Sequence, residues 1–355
     1  MMKAPFPIVS RRRMLKVAGA LGAISALPRK SWADEEKRLN FYNWDTYIGE
    51  TTVQTFTDKT GIQVQSDLFA NNEELFAKLK EGNPGYDVIV PSDYMVQTMI
   101  SAGIIVPLDH AKLTNIGNLD PAFTNPNYDP GMAHSVPYKW GTVGIGYRMS
   151  KVQTPTSWGD ILDSDKYAGR IALLADERIV IGCALKYLGF SMNSTKESEI
   201  QAARDLLIRQ KKNIKAFAPD EGQNMLVAGD ADIVQEWNGD INQVMHDDKD
   251  LNYVVPKEGT NLFIDNLAIP KDGPHPQNAL AFINHILDAQ VEAEICNTIH
   301  YATPNAAARK LLPPEEQNNK TIYPPPEVIA SGEQLRDLGD SVKLFDRAWT
   351  EVQAA

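Results

Sequence analysis

Short apolar runs alternate with amphipathic stretches from residue 39 onward, and this alternation narrows the possible folds more than any other feature of the chain. Residues 39–42 form a brief apolar run, 62–68 alternate with the period of a half-buried strand, and 86–90 stay apolar up to Pro91. Between them, residues 51–60 and 72–80 carry helical spacing. The first of these ends at Gly61, a residue suited to the left-handed stop of a helix. A third helix begins at Ser92 or Asp93, either of which can cap it. Strands and helices in strict alternation predict a parallel sheet with helices on its faces, because a parallel connection needs a crossover long enough to hold a helix.

The theme returns downstream. Residues 135–147 read as one long strand containing Gly141, Gly144 and Gly146. Their spacing does not fit a dinucleotide-binding fingerprint and no helix follows directly, so a crossing between two halves of the molecule is the better use for them. Strands are expected at 170–174, 232–235, 251–255 and 262–269, with helices at 178–188 and 197–211. The tail reads as helical at 276–288, 289–298, 305–311 and 340–352, punctuated by Pro313-Pro314 and Pro324-Pro325-Pro326. A chain of 355 residues is long for one core and argues for two lobes. Cys183 and Cys296 stand in apolar surroundings and read as buried free thiols, although an oxidising compartment would permit a disulfide.

Residues 1–33 read as an export signal. Ser10-Arg11-Arg12-Arg13-Met14-Leu15-Lys16 is close to a twin-arginine pattern, and Ser31-Trp32-Ala33 offers a cleavage site after Ala33. The apolar run between them is shorter than the roughly 20 residues that span a bilayer. This segment holds seven basic residues and no acid. The whole chain has 35 basic and 46 acidic residues, so the exported part keeps 28 against 46, a net charge of −18. Such a field attracts cations and repels nucleic acid and anionic membranes.

The chemistry-bearing residues favour binding over catalysis. Six histidines, at 110, 134, 246, 275, 285 and 300, are scattered without ligand spacing. There is no nucleophile elbow, Walker loop or zinc-type cysteine pair, so no catalytic residue, cofactor or metal is expected. Aromatic residues instead stand beside carboxylates or hydroxyls at strand ends: Trp44, Asp45 and Tyr47 after the first strand, Ser92 and Tyr94 after the third, Trp237 and Asp240 after the strand at 232. Phe263 and Asp265 lie inside a strand. Ligands of open α/β sheets bind at the carboxyl ends of strands. A primary ammonium needs three acceptors, ideally carboxylates, and an aromatic face along its alkyl stem. Charge-assisted bonds of about 1.5–3 kcal/mol each could together reach micromolar affinity, about −8 kcal/mol. Ordinary structural roles compete with this reading: Asp45 and Asp93 both qualify as helix caps, and a Trp after a strand commonly serves packing. Asp265 is harder to explain away, because an acid in an apolar strand must be paired or face a cleft.

At these residues the chain resembles the periplasmic spermidine/putrescine-binding proteins of bacterial ABC importers. The resemblance runs from Leu39 to about Val352. It is carried by Phe41-Tyr42-Asn43-Trp44, Asp87-Val88-Ile89-Val90-Pro91-Ser92, Asn115-Ile116-Gly117-Asn118-Leu119-Asp120, Trp237-Asn238-Gly239, Asp265-Asn266-Leu267-Ala268-Ile269-Pro270 and Tyr301-Ala302-Thr303-Pro304-Asn305. It implies an α/β, two-lobed periplasmic binding protein of type II, each lobe a mixed, mostly parallel sheet flanked by helices. Lobe 1 would comprise residues 34–142 plus 262–305, and lobe 2 residues 143–261 plus 306–355, with the ligand between them. Trp44 and Tyr47 would line one wall, Ser92 and Tyr94 would stand near an amine, Trp237 and Phe263 would sandwich the methylene chain, Asp265 would bind an ammonium, and Tyr301 would sit close by. Asp240 and Phe263 are similar to putrescine-type members; spermidine-type members tend to carry a small polar residue and Trp there. Two departures stand out. An acid of the relatives falls at Ile179, just after Asp176 and Glu177, and a glutamine falls at Leu335, beside Gln334. Asp176, Glu177 and Gln334 are therefore further candidates, as is Asp45 from the cluster after the first strand.

The implied function is binding of a putrescine-like diamine, or spermidine, by a monomeric periplasmic protein that closes about strands near 139–146 and 257–262 and delivers its ligand to a membrane permease. Two alternatives keep other uses open: a sensor or receptor for another amine or cation on the same fold, and an exported enzyme.

Overall fold

The first strand, β1 (Arg38–Asn43), has parallel neighbours on both sides, β2 (Gln63–Leu68) and β3 (Val88–Ile89). Helices α1 (Thr52–Thr60) and α2 (Asn72–Lys80) make the crossovers. Gly61 ends α1 at φ 72, a left-handed conformation that glycine adopts without Cβ strain. Asn71 caps α2 by accepting a hydrogen bond from the Glu74 N–H. Helix α3 (Asp93–Ser101) follows β3. This computed structural model describes residues 35–219 and 221–355, so the expected export signal lies outside the described residues.

Strand β4 (Ser135–Arg148) is the long crossing that the glycine-rich passage predicts. After it come β5 (Ile171–Leu174), β6 (Ile214–Ala218), β7 (Ile233–Trp237), β8 (Leu251–Val254) and β9 (Leu262–Ala268). The first half of β4 pairs antiparallel with β9 as far as Thr142, and from Val143 on it pairs antiparallel with β7. Strands β7, β5 and β6 then run parallel, β8 pairs with the end of β4, and the sheet order is β2-β1-β3-β9-β4-β7-β5-β6. The architecture is α/β and two-lobed, with mixed sheet in each half.

Apolar side chains pack against the sheet in more than one cluster, the largest of which reaches into both halves. Beside β1, the rings of Phe41 and Phe56 both meet Phe282 edge to face, at 5.2 and 5.0 Å, where α1 packs against α7 (Pro276–Ile286). In the other half, Trp158, Leu173, Val180, Leu207 and Phe345 are buried together. Their cluster joins α4 (Glu177–Tyr187), α5 (Glu197–Gln210) and the C-terminal α9 (Val342–Ala354); α6 (Asn238–Asp247) and α8 (Ala289–Ile299) are the remaining long helices. Cys183 and Cys296 are buried free thiols.

Several local expectations need correction. Ser92 sits at the N-cap position of α3 but makes no capping bond, and Asp93 accepts from the adjacent Tyr94 N–H. Asp45 caps no helix, since α1 begins seven residues later and Asp45 accepts from Thr46 N–H. The run at 86–90 yields only two residues of regular strand, and the helix expected at 305–311 shrinks to Ala306–Arg309.

Candidate functional site

Strand alternation places Phe263 and Asp265 on the same face of β9. Both open onto a cleft with an empty volume of about 360 Å³. Asp265 is only 5 % exposed, yet its partners are hydroxyls rather than a cation. Tyr47 Oη donates to Oδ2 at 2.7 Å and Ser92 Oγ donates to Oδ1 at 2.6 Å. Burial pushes the Asp265 carboxyl up to about 6, with the Ser92 and Tyr47 hydroxyls pulling the other way. Burial and then the Asp265 charge hold the Tyr47 phenol well above its ordinary range.

The donors are themselves braced. Asn72, in the first turn of α2, donates to Ser92 Oγ and accepts the Ser92 N–H, each at 3.0 Å. The carbonyl of Tyr47 accepts from Asn43 Nδ2 and Tyr138 Oη, at 3.0 and 2.8 Å. Freed from capping, Ser92 turns its hydroxyl to the carboxylate.

A second carboxylate lines the same cleft. Asp240, in the first turn of α6, is 4 % exposed and accepts from Tyr301 Oη at 2.6 Å. The Tyr47 and Tyr301 rings meet edge to face at 4.9 Å, which ties the two acidic ends together. Trp237 and Phe263 form an aromatic wall, rings 5.0 Å apart at 82°. Trp44 adds a further face, with Nε1 donating to the Val90 carbonyl at 2.9 Å. Asp45 is exposed at the rim. The fold thus gathers Trp44, Asp45, Tyr47, Ser92, Trp237, Asp240, Phe263, Asp265 and Tyr301 around one cleft.

Four other candidates lie elsewhere. Tyr94 points away and donates to Glu73 at 3.0 Å, because two residues along a helix turn a side chain by about 200° from Ser92. Asp176 caps α4 through the Ile179 N–H and lines a neighbouring cavity of about 290 Å³, which shares Trp44 and Trp237 with the cleft. Glu177 is pushed up to about 8 by burial and a hydrogen bond with Asp346, outside both cavities. Gln334 lines a separate depression with Asn193 and Arg336.

Gly239 has a role that sequence reading did not assign. A Cβ there would lie 2.2 Å from the Tyr301 ring. Gly239→Ala should therefore displace Tyr301 from Asp240, costing about 1–3 kcal/mol of stability and weakening ligand roughly tenfold. Denaturant melts and ligand titration check this; a variant matching the parent in both would show that Tyr301 placement is not critical.

A two-lobed α/β molecule with a polar, aromatic-walled cleft beside its crossing strands is the form of a solute-binding protein. The chain belongs to the bacterial extracellular solute-binding protein family, whose profile matches residues 51–324. It is 38% identical to the spermidine/putrescine-binding periplasmic protein of Escherichia coli over 338 residues, 94% of this chain and 97% of that one. The putrescine-binding periplasmic protein PotF of Escherichia coli is 36% identical over 360 residues, covering 95% and 96%. The solved structure of a spermidine/putrescine ABC transporter substrate-binding protein from Streptococcus pneumoniae matches with TM-score 0.75 and 34% identity, over 89% of this chain and all of that one (100%). Among the described residues, no helix is long and apolar enough to cross a membrane.

Proposed function

We propose that this chain is the substrate-binding component of an ABC importer and captures a small polyamine, a putrescine-like diamine foremost, between its lobes. The observation that carries this reading is the pair of buried carboxylates, Asp265 and Asp240, on an aromatic-walled cleft. Each offers an ammonium one charged acceptor, and Tyr47, Ser92 and Tyr301 add hydroxyl oxygens. Trp237 and Phe263 supply faces for the methylene chain. The names of the relatives agree with this chemistry.

The lobes we infer are residues 34–142 with 262–305 and residues 143–261 with 306–355. The change of β4 partner between Thr142 and Val143 supports that division. Closure gains because only the closed state brings Asp265 and Asp240 to one ligand. Residues 1–33 direct export by the twin-arginine route, and the exported chain acts in the periplasm as a monomer that meets a permease. The work is binding, without a chemical step.

Calorimetric titration with putrescine, cadaverine, spermidine and spermine tests this. Putrescine should bind with micromolar or tighter affinity, about −8 kcal/mol or better. Heat from none of the four would overturn the polyamine assignment and favour a receptor for another cation. Asp176, in the cavity beyond Trp44 and Trp237, is the observation that favours a longer polyamine. Spermidine binding more tightly than putrescine would select that second reading.

A further inference from the structure

Away from the cleft, three metal-ligating side chains converge that lie far apart in sequence. His246 in the last turn of α6, His300 at the end of α8 and Glu316 in the short helix Pro314–Gln317 present ligand atoms within 4.8 Å of one another. His246 Nε2 lies 3.2 Å from Glu316 Oε1, and His300 Nδ1 lies 3.9 Å from Oε2. The imidazoles stack at 3.9 Å with 21° between their planes. His300 holds a left-handed φ of 54, uncommon for a residue with a side chain. Its Nδ1 is buried without a hydrogen-bond partner, whereas His246 is 43 % exposed and leaves the spot open to solvent.

We propose that His246, His300 and Glu316 form a site for a divalent transition-metal ion of the zinc type, and that the ion clamps the two lobes together. Two imidazole nitrogens and one carboxylate oxygen are a donor set for zinc, with the fourth position left to water. Calcium and magnesium prefer oxygen donors throughout. Bonds of about 2.0–2.1 Å set ligand atoms about 3.3 Å apart on a tetrahedron. The His246–Oε1 pair already meets that spacing. The 3.9 Å contact of His300 is to the other carboxylate oxygen, so the three ligand atoms, now within 4.8 Å of one another, must draw together by side-chain rotation to share one ion. The clamp follows from position and rests on the proposed lobe division. Helix α6 carries both His246 and Asp240, His300 precedes Tyr301, and Tyr301 donates to Asp240. An ion here would join the same two segments that close on the ligand, so metal and amine should strengthen each other's binding by equal factors.

The test uses tag-free, chelator-stripped protein titrated with zinc chloride by calorimetry and equilibrium dialysis. One ion per chain should bind with micromolar or tighter affinity, undisturbed by excess calcium or magnesium. His246→Ala and Glu316→Gln should each weaken zinc at least tenfold while keeping the melting temperature of the stripped parent. No stoichiometric zinc, or zinc affinity unchanged from the parent in both variants, would overturn the site. Putrescine titrated with and without zinc reads the clamp: a severalfold gain in the parent but not in His246→Ala supports it, and equal affinities overturn it. Zinc stoichiometry is read without amine, so a protein that takes zinc but no amine would fail the reading of the cleft and not the metal site.

Discussion

Asp265→Asn should lower diamine affinity by roughly 30-fold to several-thousand-fold, the equivalent of about 2–5 kcal/mol for removing one partner of a buried charge pair. The substitution keeps shape. Asn can still accept one of the two hydroxyl bonds that Tyr47 and Ser92 make, and its amide can donate to the other oxygen. What disappears is the negative charge that an ammonium needs. The same charge is a burden on the free protein, since it sits 5 % exposed among hydroxyl donors without a cation. The variant should therefore bind poorly while melting, ligand-free at pH 8, no lower than the parent. Calorimetry and thermal melts together separate this from a folding defect, which would lower both. Affinity within threefold of the parent would remove Asp265 from amine contact.

Much of the architecture was legible because its signals are local. Gly61 ends α1, Pro91 ends the apolar run before α3, and alternating residues mark β2. The edge strand β6 escaped notice because Ile214–Ala218 is half exposed and lacks a continuous apolar face. The cleft was legible residue by residue but not in its wiring. Nothing in the order of residues says that Tyr47 would reach Asp265 or that Tyr301 would reach Asp240, since those pairs form only when distant strands and helices converge. Tyr94 shows the opposite limit: adjacency to Ser92 suggested a shared role, and helical rotation sent it to Glu73. Asn72 looked like an ordinary first-turn residue, although it braces Ser92. Gly239 stood out only as part of the stretch Trp237-Asn238-Gly239, and nothing there shows why a Cβ is excluded, because that need comes from the Tyr301 ring. The histidines at 246 and 300 looked scattered for the same reason; folding stacks them.

Diamine affinity should be flat above about pH 7 and fall about tenfold for each pH unit below about 6. Burial lifts the Asp265 carboxyl from an ordinary 3.8 to about 6 in the free protein. An ammonium beside it favours the ionised form, so binding below pH 6 must first expel a proton. The ligand does not titrate there, since a primary amine of about pKa 10 stays charged. Burial also holds the Asp93 carboxyl and the Tyr47 phenol well above their ordinary ranges. Calorimetry at pH 5 in buffers of different ionisation heat should count close to one proton released per amine, against none at pH 8. Stability of the free protein should move the other way. Between about pH 4 and 6 the folded state holds the Asp265 proton that the unfolded chain has lost, so this group's contribution to stability declines as pH rises through the window and levels off above it. One carboxyl thus predicts two slopes of opposite sign, and Asp265→Asn should flatten both. An acid limb that survives in Asp265→Asn would assign the titration to another group.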